Sequence, residues 1–510
     1  MNALYRLFKD SCLKHPIRPA VREQDGAVIR YGRLEELASS AADWLTESGV
    51  TAGQHVALFA QNGIEFIIGY WAIQKVSAVA VLVPAFSKSW DLERIQEHCD
   101  IDHWLADFSR RSVLEDTFSI QTLAPRWLSS PLCLMHGCGN PVKANPQPIA
   151  VILPTSGTTG RLKGVTLDAD SLVWNAQAYA NDLHLSETEK ALLLLPMTGA
   201  FAHTTQMLAH LFTGGELIFG PELFMPQQFA HLVQRTQPTI TGLVPSLYRK
   251  ILASLPKLAQ VPLQRLVLAG EPIDQALVHQ GRQQFPGIEI IKAYGLSEAG
   301  PRVTQISSAK GTAFDDTLGR PLLGARIKIV NDQGRSLAPG ETGEICVASP
   351  SLMKGYYKDP EHTHAIMSRG WLRTGDIGQL TKEGFLIVLG RSKNLIIKSG
   401  YNVSPEEIEA FLNTIPGVRE AMVFGRQNNV YGEGIIAHIV ASKKGTLGGS
   451  DILSQCRARL APIKVPDEIH LVDALPDNFN GKLVRKEVRA HWPMPDDREI
   501  TLGRRGEKEA

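Results

Sequence analysis

Short apolar runs alternate with amphipathic stretches along the first 150 residues of the chain. Apolar residues at helical spacing predict a helix from Tyr31 towards Leu45 and a buried helix over Glu65–Ile73. Continuous apolar runs of strand length predict strands over His55–Ala60 and Val79–Pro84. Strands that alternate with helices indicate an α/β fold, with a mainly parallel sheet that is covered on both faces.

The same alternation continues beyond residue 150. Buried strands are predicted at Ile149–Leu153, Ala191–Pro196 and Ile288–Ala293, and a helix is predicted over Asp168–Leu183. Residues 318–390 contain shorter β elements separated by glycines, and residues 408–495 contain a helix, two strands and a helix. We therefore expect a large N-terminal domain of α/β sheets with a β-rich subdomain, residues 1–391, and a small α+β C-terminal domain, residues 392–510.

The composition of the 510 residues is that of an ordinary globular protein with more than one core. A net charge of +1 without a basic block argues against nucleic acid as a partner. Neither a leader pattern nor an apolar run long enough to cross a bilayer is present, so a cytoplasmic enzyme without a membrane span is expected. The six scattered cysteines predict neither a disulfide framework nor a structural metal site.

A segment rich in hydroxyl groups and glycine directly follows the apolar run Ile149–Leu153. Glycines let the backbone turn with its N–H groups inward, hydroxyl groups add donors, and a lysine charge suits phosphate oxygens. The residues expected to bind a polyphosphate are Thr155, Ser156, Gly157, Thr158, Thr159, Gly160 and Lys163. Their spacing differs from the phosphate loop of kinases and GTPases. A polar surface loop that joins two strands is the alternative.

Polar residues also follow two other predicted strands. Gly270, Glu271 and Pro272 follow the strand that begins at Arg265, and Tyr294–Gly300 follows the strand Ile288–Ala293. Ligands of α/β sheets gather at the carboxyl ends of strands, so we expect these loops to share one site. Tyr294 offers a ring for stacking on adenine, and the Glu298 carboxylate suits Mg²⁺.

The segment Thr155–Val165 resembles the phosphate-loop signature of the adenylate-forming superfamily. This superfamily includes acyl- and aryl-CoA synthetases, firefly luciferase and the adenylation domains of nonribosomal peptide synthetases. Pro154 and Leu162 depart from its common pattern, but neither departure removes a hydrogen-bond donor. The order of elements in residues 1–150 and the segment Tyr294–Gly300 are also similar to this superfamily.

The resemblance implies roles for residues in five further segments. Gly270, Glu271 and Pro272 would flank the adenine, and Ser297 keeps a hydroxyl group where threonine is common. The remaining implied roles are Asp376 and Arg391 at the ribose, Glu298 at Mg²⁺, Lys393 at a hinge about which the C-terminal domain rotates, and Lys482 as the catalytic lysine.

The resemblance also places the acid-binding pocket, at His203, Val244, Gly270, Gly295 and Gly300. A lone histidine is more often a hydrogen-bonded core residue than a functional one. The resemblance alone makes His203 a candidate pocket residue. Adenylation domains that select α-amino acids usually carry an aspartate where this chain has Phe201 or Ala202. An apolar residue cannot compensate a desolvated ammonium group, so an α-amino acid is disfavoured.

The function that the resemblance implies is that of an AMP-forming acid–thiol ligase. Such an enzyme uses ATP and Mg²⁺ to convert a carboxylic acid into an acyl-adenylate, and then transfers the acyl group to a thiol. The acid is expected to lack an amino group, and CoA is the expected acceptor of its acyl group. One alternative is an enzyme that loads the phosphopantetheine of a carrier protein, with amino acids among its substrates. A non-catalytic nucleotide sensor ranks low, because Glu298, Asp376, Arg391 and Lys482 are all present.

Overall fold

A computed structural model describes most of the chain, and the sheets and helices below refer to the described residues. The described residues are 2–118, 132–136, 148–156, 162–221, 224–254, 262–273, 275–307, 316–391, 396–398, 401–403, 405–428, 432–442, 448–460, 464–475 and 501–502.

The strands are numbered β1 to β27 in chain order. They are Pro19–Arg22, Val28–Arg30, His55–Phe59, Val79–Leu82, His103–Asp107, Leu132–His136, Val151–Ser156, Leu162–Leu167, Lys190–Leu193, Glu216–Phe219, Ile240–Leu243, Arg265–Leu268, Glu289–Gly295, Arg302–Ser307, Arg320–Pro321, Arg326–Val330, Gly343–Ala348, Gly355–Tyr356, Met367–Ser368, Trp371–Leu380, Leu386–Arg391, Ile396–Lys398, Tyr401–Val403, Val418–Asn428, Gly432–Ala441, Glu468–Leu471 and Thr501–Leu502.

The α-helices are numbered α1 to α13. They are Ala3–Lys14, Tyr31–Glu47, Ile64–Val76, Ser89–Cys99, Arg111–Phe118, Ala169–Asp182, Ala209–Thr213, Phe229–Thr236, Pro245–Ser254, Gln275–Gln284, Pro360–Ile366, Pro405–Leu412 and Gly449–Arg459. A π-helix covers Phe201–Leu208, and 3₁₀ turns cover Phe108–Arg110, Pro226–Gln228 and Ser297–Ala299.

Four sheets organise the described residues. A nine-stranded sheet has the order β15-β14-β13-β12-β11-β9-β10-β1-β2, and a seven-stranded sheet has the order β18-β8-β7-β4-β3-β5-β6. Each has parallel inner strands and antiparallel strands at its edges. The α/β prediction is therefore confirmed. One hydrophobic core contacts both of these sheets and includes α2, the buried face of α6 and nearly all of α3.

Two smaller sheets follow. A five-stranded antiparallel sheet is built from β16, β17, β20, β19 and β21, which matches the β-rich region predicted after residue 318. A six-stranded sheet begins with β22 at Ile396 and has its own core under α12 and α13. The predicted domain boundary between residues 391 and 392 remains a prediction. None of the helices in the described ranges has both the length and the apolar character needed to cross a membrane.

The segment that contains His203 is a helix of an unusual kind. Residues Phe201–Leu208 form a π-helix, which continues into α7 and ends at Gly214 with a φ of 83°. In a π-helix each N–H bonds five residues back, and residues five positions apart share a face. The side-chain positions of this segment are therefore shifted from those of the α-helix that the apolar pattern predicts.

Helix α6 begins where the sequence predicts, because Asp168 caps it. The Asp168 carboxylate accepts a hydrogen bond from the Ser171 N–H at 2.9 Å and pairs with the Lys354 ammonium group at 2.8 Å. Burial alone would raise the pKa of Asp168, but the hydrogen bonds from Lys354 and Ser171 hold it below its usual range. This carboxylate ties the start of α6 to the segment that precedes β18.

The Asp168→Ala substitution should lower the stability of the protein by about 1–2 kcal/mol, because the cap and the ion pair are lost together. The midpoint of urea unfolding measures this change. A carboxylate whose pKa is lowered by folding stabilises the protein above its unfolded pKa. The difference from the wild type should therefore persist at neutral pH and shrink below a pH of about 4.

The control is Asp170→Ala, which removes an exposed acid from the first turn of the same helix. Equal midpoints for the Asp168→Ala and Asp170→Ala proteins would contradict the capping role.

Candidate active site

Strands β7 and β8 form the two arms of the predicted phosphate loop. They are antiparallel, with Thr155 opposite Lys163, and the Thr155 hydroxyl donates to the Lys163 carbonyl oxygen at 3.4 Å. Gly157, Thr158, Thr159 and Gly160 lie outside the described residues, as does the side chain of Ser156. Their phosphate-binding role therefore remains a prediction, and Thr155 and Lys163 are the predicted ligands that the structure places.

The ammonium group of Lys163 contacts an aromatic ring. Its Nζ lies 4.2 Å from the centroid of the Tyr356 ring, a cation–π distance. Within the part of the chain that the structure describes, no carboxylate forms an ion pair with Lys163. A ring stabilises a cation without neutralising it, so the positive charge at this arm of the loop is kept for an anionic ligand.

Tyr356 also contacts the predicted magnesium ligand. Its hydroxyl donates to Glu298 Oε1 at 2.8 Å. Tyr356 reaches this position because β18 pairs with β8 and places Tyr356 opposite Val165. The ring of Tyr356 thus contacts Lys163, and its hydroxyl group contacts Glu298. Tyr356 could not be predicted from the sequence, since it lies far along the chain from both residues and in none of the recognised motifs.

The turn that carries Glu298 follows β13 and is fixed by backbone contacts. The Met353 N–H donates to the Glu298 carbonyl oxygen at 2.9 Å, and the Ser351 hydroxyl donates to the Ala299 carbonyl oxygen at 2.6 Å. A Cβ atom on Gly295 would lie 2.0 Å from the Pro301 carbonyl oxygen, and one on Gly300 would lie 2.4 Å from the Ser351 carbonyl oxygen. Glycine is needed at both positions for close backbone packing. Their role as pocket walls remains a prediction.

Tyr294, at the end of β13, contacts the predicted ribose ligand. Its hydroxyl donates to Asp376 Oδ2 at 2.7 Å, and both side chains are buried. Asp376 lies within the ten-residue strand β20, where β21 places the Cα of Arg391 opposite it. The side chain of Arg391 lies outside the described residues. One strand end thus carries both Tyr294, which binds Asp376, and Glu298, which binds Tyr356.

The loop after β12 is fixed to the start of α9 by the side chain of Glu271. The Glu271 carboxylate accepts hydrogen bonds from the Ser246 N–H at 2.7 Å and the Ser246 hydroxyl at 2.9 Å, at the start of α9. Gly270 has a φ of 88°, and a Cβ atom there would lie 3.5 Å from Val244 Cγ1. Val244 and Gly270 are therefore neighbours at the ends of β11 and β12, as a shared pocket requires. The adenine contact predicted for Gly270, Glu271 and Pro272 is not tested.

His203 lies in the π-helix and is completely buried. Its ring packs edge-on against Tyr70 of α3, with a centroid distance of 4.9 Å. Burial lowers the pKa of His203 to about 3, so the imidazole is neutral at physiological pH. A neutral imidazole packed against a phenol ring suits a pocket wall better than proton transfer. Its contact with the acid stays a prediction.

Lys393 and Lys482 lie outside the described residues. Their predicted roles, at the hinge and in adenylation, therefore remain predictions.

Glu298 and Lys163 together fit a Mg²⁺ ion that is held largely by phosphate oxygens. Glu298, at the Tyr356 hydroxyl, supplies one carboxylate, and Lys163, over the Tyr356 ring, supplies a cation. Mg²⁺ commonly takes one or two carboxylates together with phosphate oxygens and water. Across the described ranges, no group of three histidine, cysteine, aspartate or glutamate side chains could hold a metal by itself. The site therefore suits a metal that arrives with a polyphosphate.

Comparison with protein families decides what kind of site this is. The family model of the AMP-binding enzyme matches residues 8–357, and the model of the AMP-binding enzyme C-terminal domain matches residues 407–482. The chain belongs to the AMP-binding enzyme family. The resemblance to adenylate-forming enzymes is thereby confirmed, and the two matched segments cover Lys163, Glu298, Tyr356 and Lys482.

Curated relatives of this AMP-binding enzyme are CoA ligases. It is 29% identical to a feruloyl-CoA synthase from Amycolatopsis over 489 residues, which cover 94% of this chain and 96% of the relative. It is 30% identical to a 2-succinylbenzoate–CoA ligase from Geobacillus kaustophilus over 508 residues, which cover 97% and 99%. These relatives confirm an AMP-forming ligase of the acyl- and aryl-CoA synthetase type.

Solved structures of o-succinylbenzoate-CoA synthetase from Bacillus subtilis have the same fold. The complex with the acyl-adenylate intermediate matches with a TM-score of 0.82 and 25% identity, and covers 97% of this chain and 99% of that one. The complex with ATP and magnesium matches with a TM-score of 0.81 and 26% identity, and covers 94% and 98%.

The Tyr356→Phe substitution tests the contact between Tyr356 and Glu298. It removes the hydroxyl group and keeps the ring beneath Lys163. A hydrogen bond to a charged group contributes about 1.5 kcal/mol or more, so the affinity for ATP in the presence of Mg²⁺ should fall about tenfold. The loss should be smaller when Mg²⁺ is removed, because Glu298 acts on the metal. Calorimetric titration with ATP, with and without Mg²⁺, measures both values.

Tyr357→Phe is the matched control, since the hydroxyl of Tyr357 donates to Asp100 at 2.8 Å. If both substitutions changed the affinity equally, the role of Tyr356 in placing Glu298 would be wrong.

Proposed function

We propose that this enzyme activates a non-amino carboxylic acid with ATP and Mg²⁺ and transfers the acyl group to CoA. The observation that carries the proposal is the end of β13, where Tyr294 binds the ribose aspartate Asp376 and Glu298 lies next to the phosphate-loop arm. A ligand that contacts Asp376, Glu298 and Lys163 must present hydroxyl groups, a metal-binding oxyanion and a further anion. A nucleoside triphosphate has all of these.

The charges of this site suit the first half-reaction. The carboxylate of the acid attacks the α-phosphate, the bond to the departing pyrophosphate breaks, and an acyl-adenylate forms. Two anions must approach each other, so charge compensation and positioning dominate the catalysis. Lys163 and the hydroxyl-rich loop hold the pyrophosphate, Asp376 orients the ribose, and Lys482 compensates charge on the carboxylate and the α-phosphate. Mg²⁺, held by Glu298, supplies further charge compensation on the phosphates when it is bound.

A non-amino acid is supported by the surroundings of Phe201. The guanidinium carbon of Arg302 lies 5.0 Å from the centroid of the Phe201 ring. An ammonium group in this region would meet an apolar ring and a buried cation rather than a carboxylate. Burial of an unpaired charge costs several kcal/mol, and a neighbouring like charge adds to this cost.

CoA is supported as the acceptor by the curated relatives, which are CoA ligases. A carrier protein is the alternative acceptor, and these relatives do not favour it. A cytoplasmic location remains a prediction.

The decisive experiment is acid-dependent exchange of labelled pyrophosphate into ATP over a panel of fatty, aryl and amino acids. Intact-mass analysis with CoA or with a phosphopantetheinylated carrier then identifies the acceptor. We expect exchange with non-amino acids and an acyl-CoA product. If ATP bound but no acid supported exchange, the protein would be a sensor rather than a ligase.

Lys482→Ala should separate the two half-reactions. Adenylation should fall by about a hundredfold or more, because the lysine charge acts where charge develops in the transition state. Thioester formation from a preformed acyl-adenylate should change far less, since the domain rotation implied by the resemblance removes Lys482 from the site. Lys486→Ala, in the same basic run, is the control. If Lys482→Ala lowered the rates of both half-reactions equally, the assignment of Lys482 to adenylation alone would be wrong.

A further inference from the structure

Arg302 is a buried cation without a carboxylate partner. It is the first residue of β14, opposite Gly295 of β13, and 2% of its surface is exposed. Its Nε and Nη2 atoms are fully buried and have no hydrogen-bond partner among the residues that the structure describes. Burial of unsatisfied donors on a charged group is unfavourable, so an orphaned guanidinium indicates a missing ligand.

The carboxylate of Asp182 acts on Arg302 through its charge but is hydrogen-bonded to another residue. Asp182, at the end of α6, is close enough to affect the pKa of Arg302, yet its Oδ2 accepts a hydrogen bond from the Gln305 amide at 2.5 Å. The planar group of Arg302 instead contacts rings, with its central carbon 5.3 Å from the centroid of Tyr179 and 5.0 Å from that of Phe201. The rings of Tyr179 and Phe201 hold the guanidinium group in place without accepting hydrogen bonds from Nε or Nη2.

The two orphaned nitrogens share one edge of the guanidinium group. Nε–H and the adjacent Nη2–H are nearly parallel, which is the geometry that binds both oxygens of a carboxylate at once. A single hydroxyl or carbonyl oxygen would satisfy only one of these two donors.

Gln206 is a second buried polar residue without a hydrogen-bond partner among the described residues, and it lies near the Phe201 ring. Neither the amide nitrogen nor the amide oxygen of Gln206 has a hydrogen-bond partner among the described residues, and the side chain is buried. Phe201 and Gln206 are five residues apart in the π-helix, so they share a face. A Cβ atom on Gly242 would lie 2.7 Å from Gln206 Nε2 and 2.9 Å from Phe201 Cζ. The missing side chain of Gly242 thus leaves this amide close to the end of β11.

Arg302 and Gly242 each lie next to a predicted pocket residue, in the sheet or along the chain. Arg302 lies four residues after Glu298 and pairs with Gly295, a predicted pocket residue. Gly242 lies two residues before Val244, another predicted pocket residue. The unpaired donors therefore belong to elements that also carry predicted pocket residues, and neither Arg302 nor Gln206 is among the predicted nucleotide ligands.

We propose that the acid substrate carries a second carboxylate, which Arg302 binds through Nε and Nη2 while Gln206 donates to it from the π-helix. Arg302 is then the residue that selects dicarboxylic acids. This inference rests on the proposed ligase function, because it names the class of acid that the same site activates.

The test compares pairs of acids that differ by one distal carboxylate, such as hexanoate with adipate, and phenylpropanoate with its ring-carboxylated derivative. The readout is the ratio of kcat/KM in acid-dependent pyrophosphate exchange for the two members of a pair. A ratio measured on one protein cancels any general loss of folded enzyme. The wild type should prefer the dicarboxylic member of at least one pair by about a hundredfold.

Arg302→Met should reduce this preference by about a hundredfold, mainly through KM, and should leave the affinity for ATP unchanged. Arg302→Lys keeps the charge but not the planar edge, and should restore part of the preference. Arg320→Met is the matched control, because Arg320 also lies over a ring, that of Phe385 at 4.4 Å, but is exposed. It should leave the preference unchanged.

The outcomes separate this inference from the proposed function. Efficient use of monocarboxylic acids by the wild type, or an unchanged ratio in Arg302→Met, would overturn the role of Arg302 and leave the ligase function intact. Bound ATP without exchange for any acid would overturn the ligase function and this inference together.

Discussion

Two hydrogen bonds from tyrosine hydroxyl groups to carboxylates hold the site together. Tyr294 binds Asp376 and Tyr356 binds Glu298, and these four residues belong to three different sheets or to the turn after β13. Each bond fixes the position of one carboxylate. A hydrogen bond to a charged group contributes about 1.5–3 kcal/mol, so each bond also helps to hold two elements of the fold together. The geometry of the nucleotide site therefore depends on how the nine-stranded sheet contacts its neighbours.

The cations of the described chain have carboxylates, aromatic rings or both as partners, and Lys358 has both. Lys398 and Arg265 form ion pairs with Asp467 and Glu189, and these pairs connect elements of the fold. Lys163 and Arg302 instead lie over aromatic rings. An ion pair neutralises the field of the cation, whereas a ring stabilises the cation and leaves most of that field in place. The fields of Lys163 and Arg302 are therefore not cancelled by an ion pair with a described carboxylate.

Much of the fold could be predicted from the apolar pattern, because buried strands and helices need continuous or periodic apolar residues. Helices α2, α3 and α6 and strands β3 and β4 lie within a few residues of their predicted positions. The π-helix could not be predicted, since four apolar residues among the eight of Phe201–Leu208 are too few to distinguish a period of 3.6 from the longer period of a π-helix. The apolar pattern predicts a helix here, but it does not predict which side chains lie on the same face of that helix.

Local motifs led to the prediction of Lys163, Glu298 and Asp376 as site residues, and their binding roles stay predictions. Tyr356 and Arg302 lie in no such motif, because their contacts depend on partners in other sheets and helices. Arg302 did leave one signal, as the single charged residue at the start of the otherwise uncharged strand Arg302–Ser307. A charge in a buried strand is unfavourable unless something compensates it.

The burial of Arg302 also has a consequence for binding. Its guanidinium is already removed from water and oriented by the rings of Phe201 and Tyr179 in the folded protein. An incoming carboxylate must therefore give up its own hydration, but the desolvation and ordering of Arg302 are complete before it arrives. This preorganisation makes the interaction stronger than the same pair formed at the surface. It also makes an acid without the second carboxylate a poor ligand, since such an acid leaves the buried donors unsatisfied.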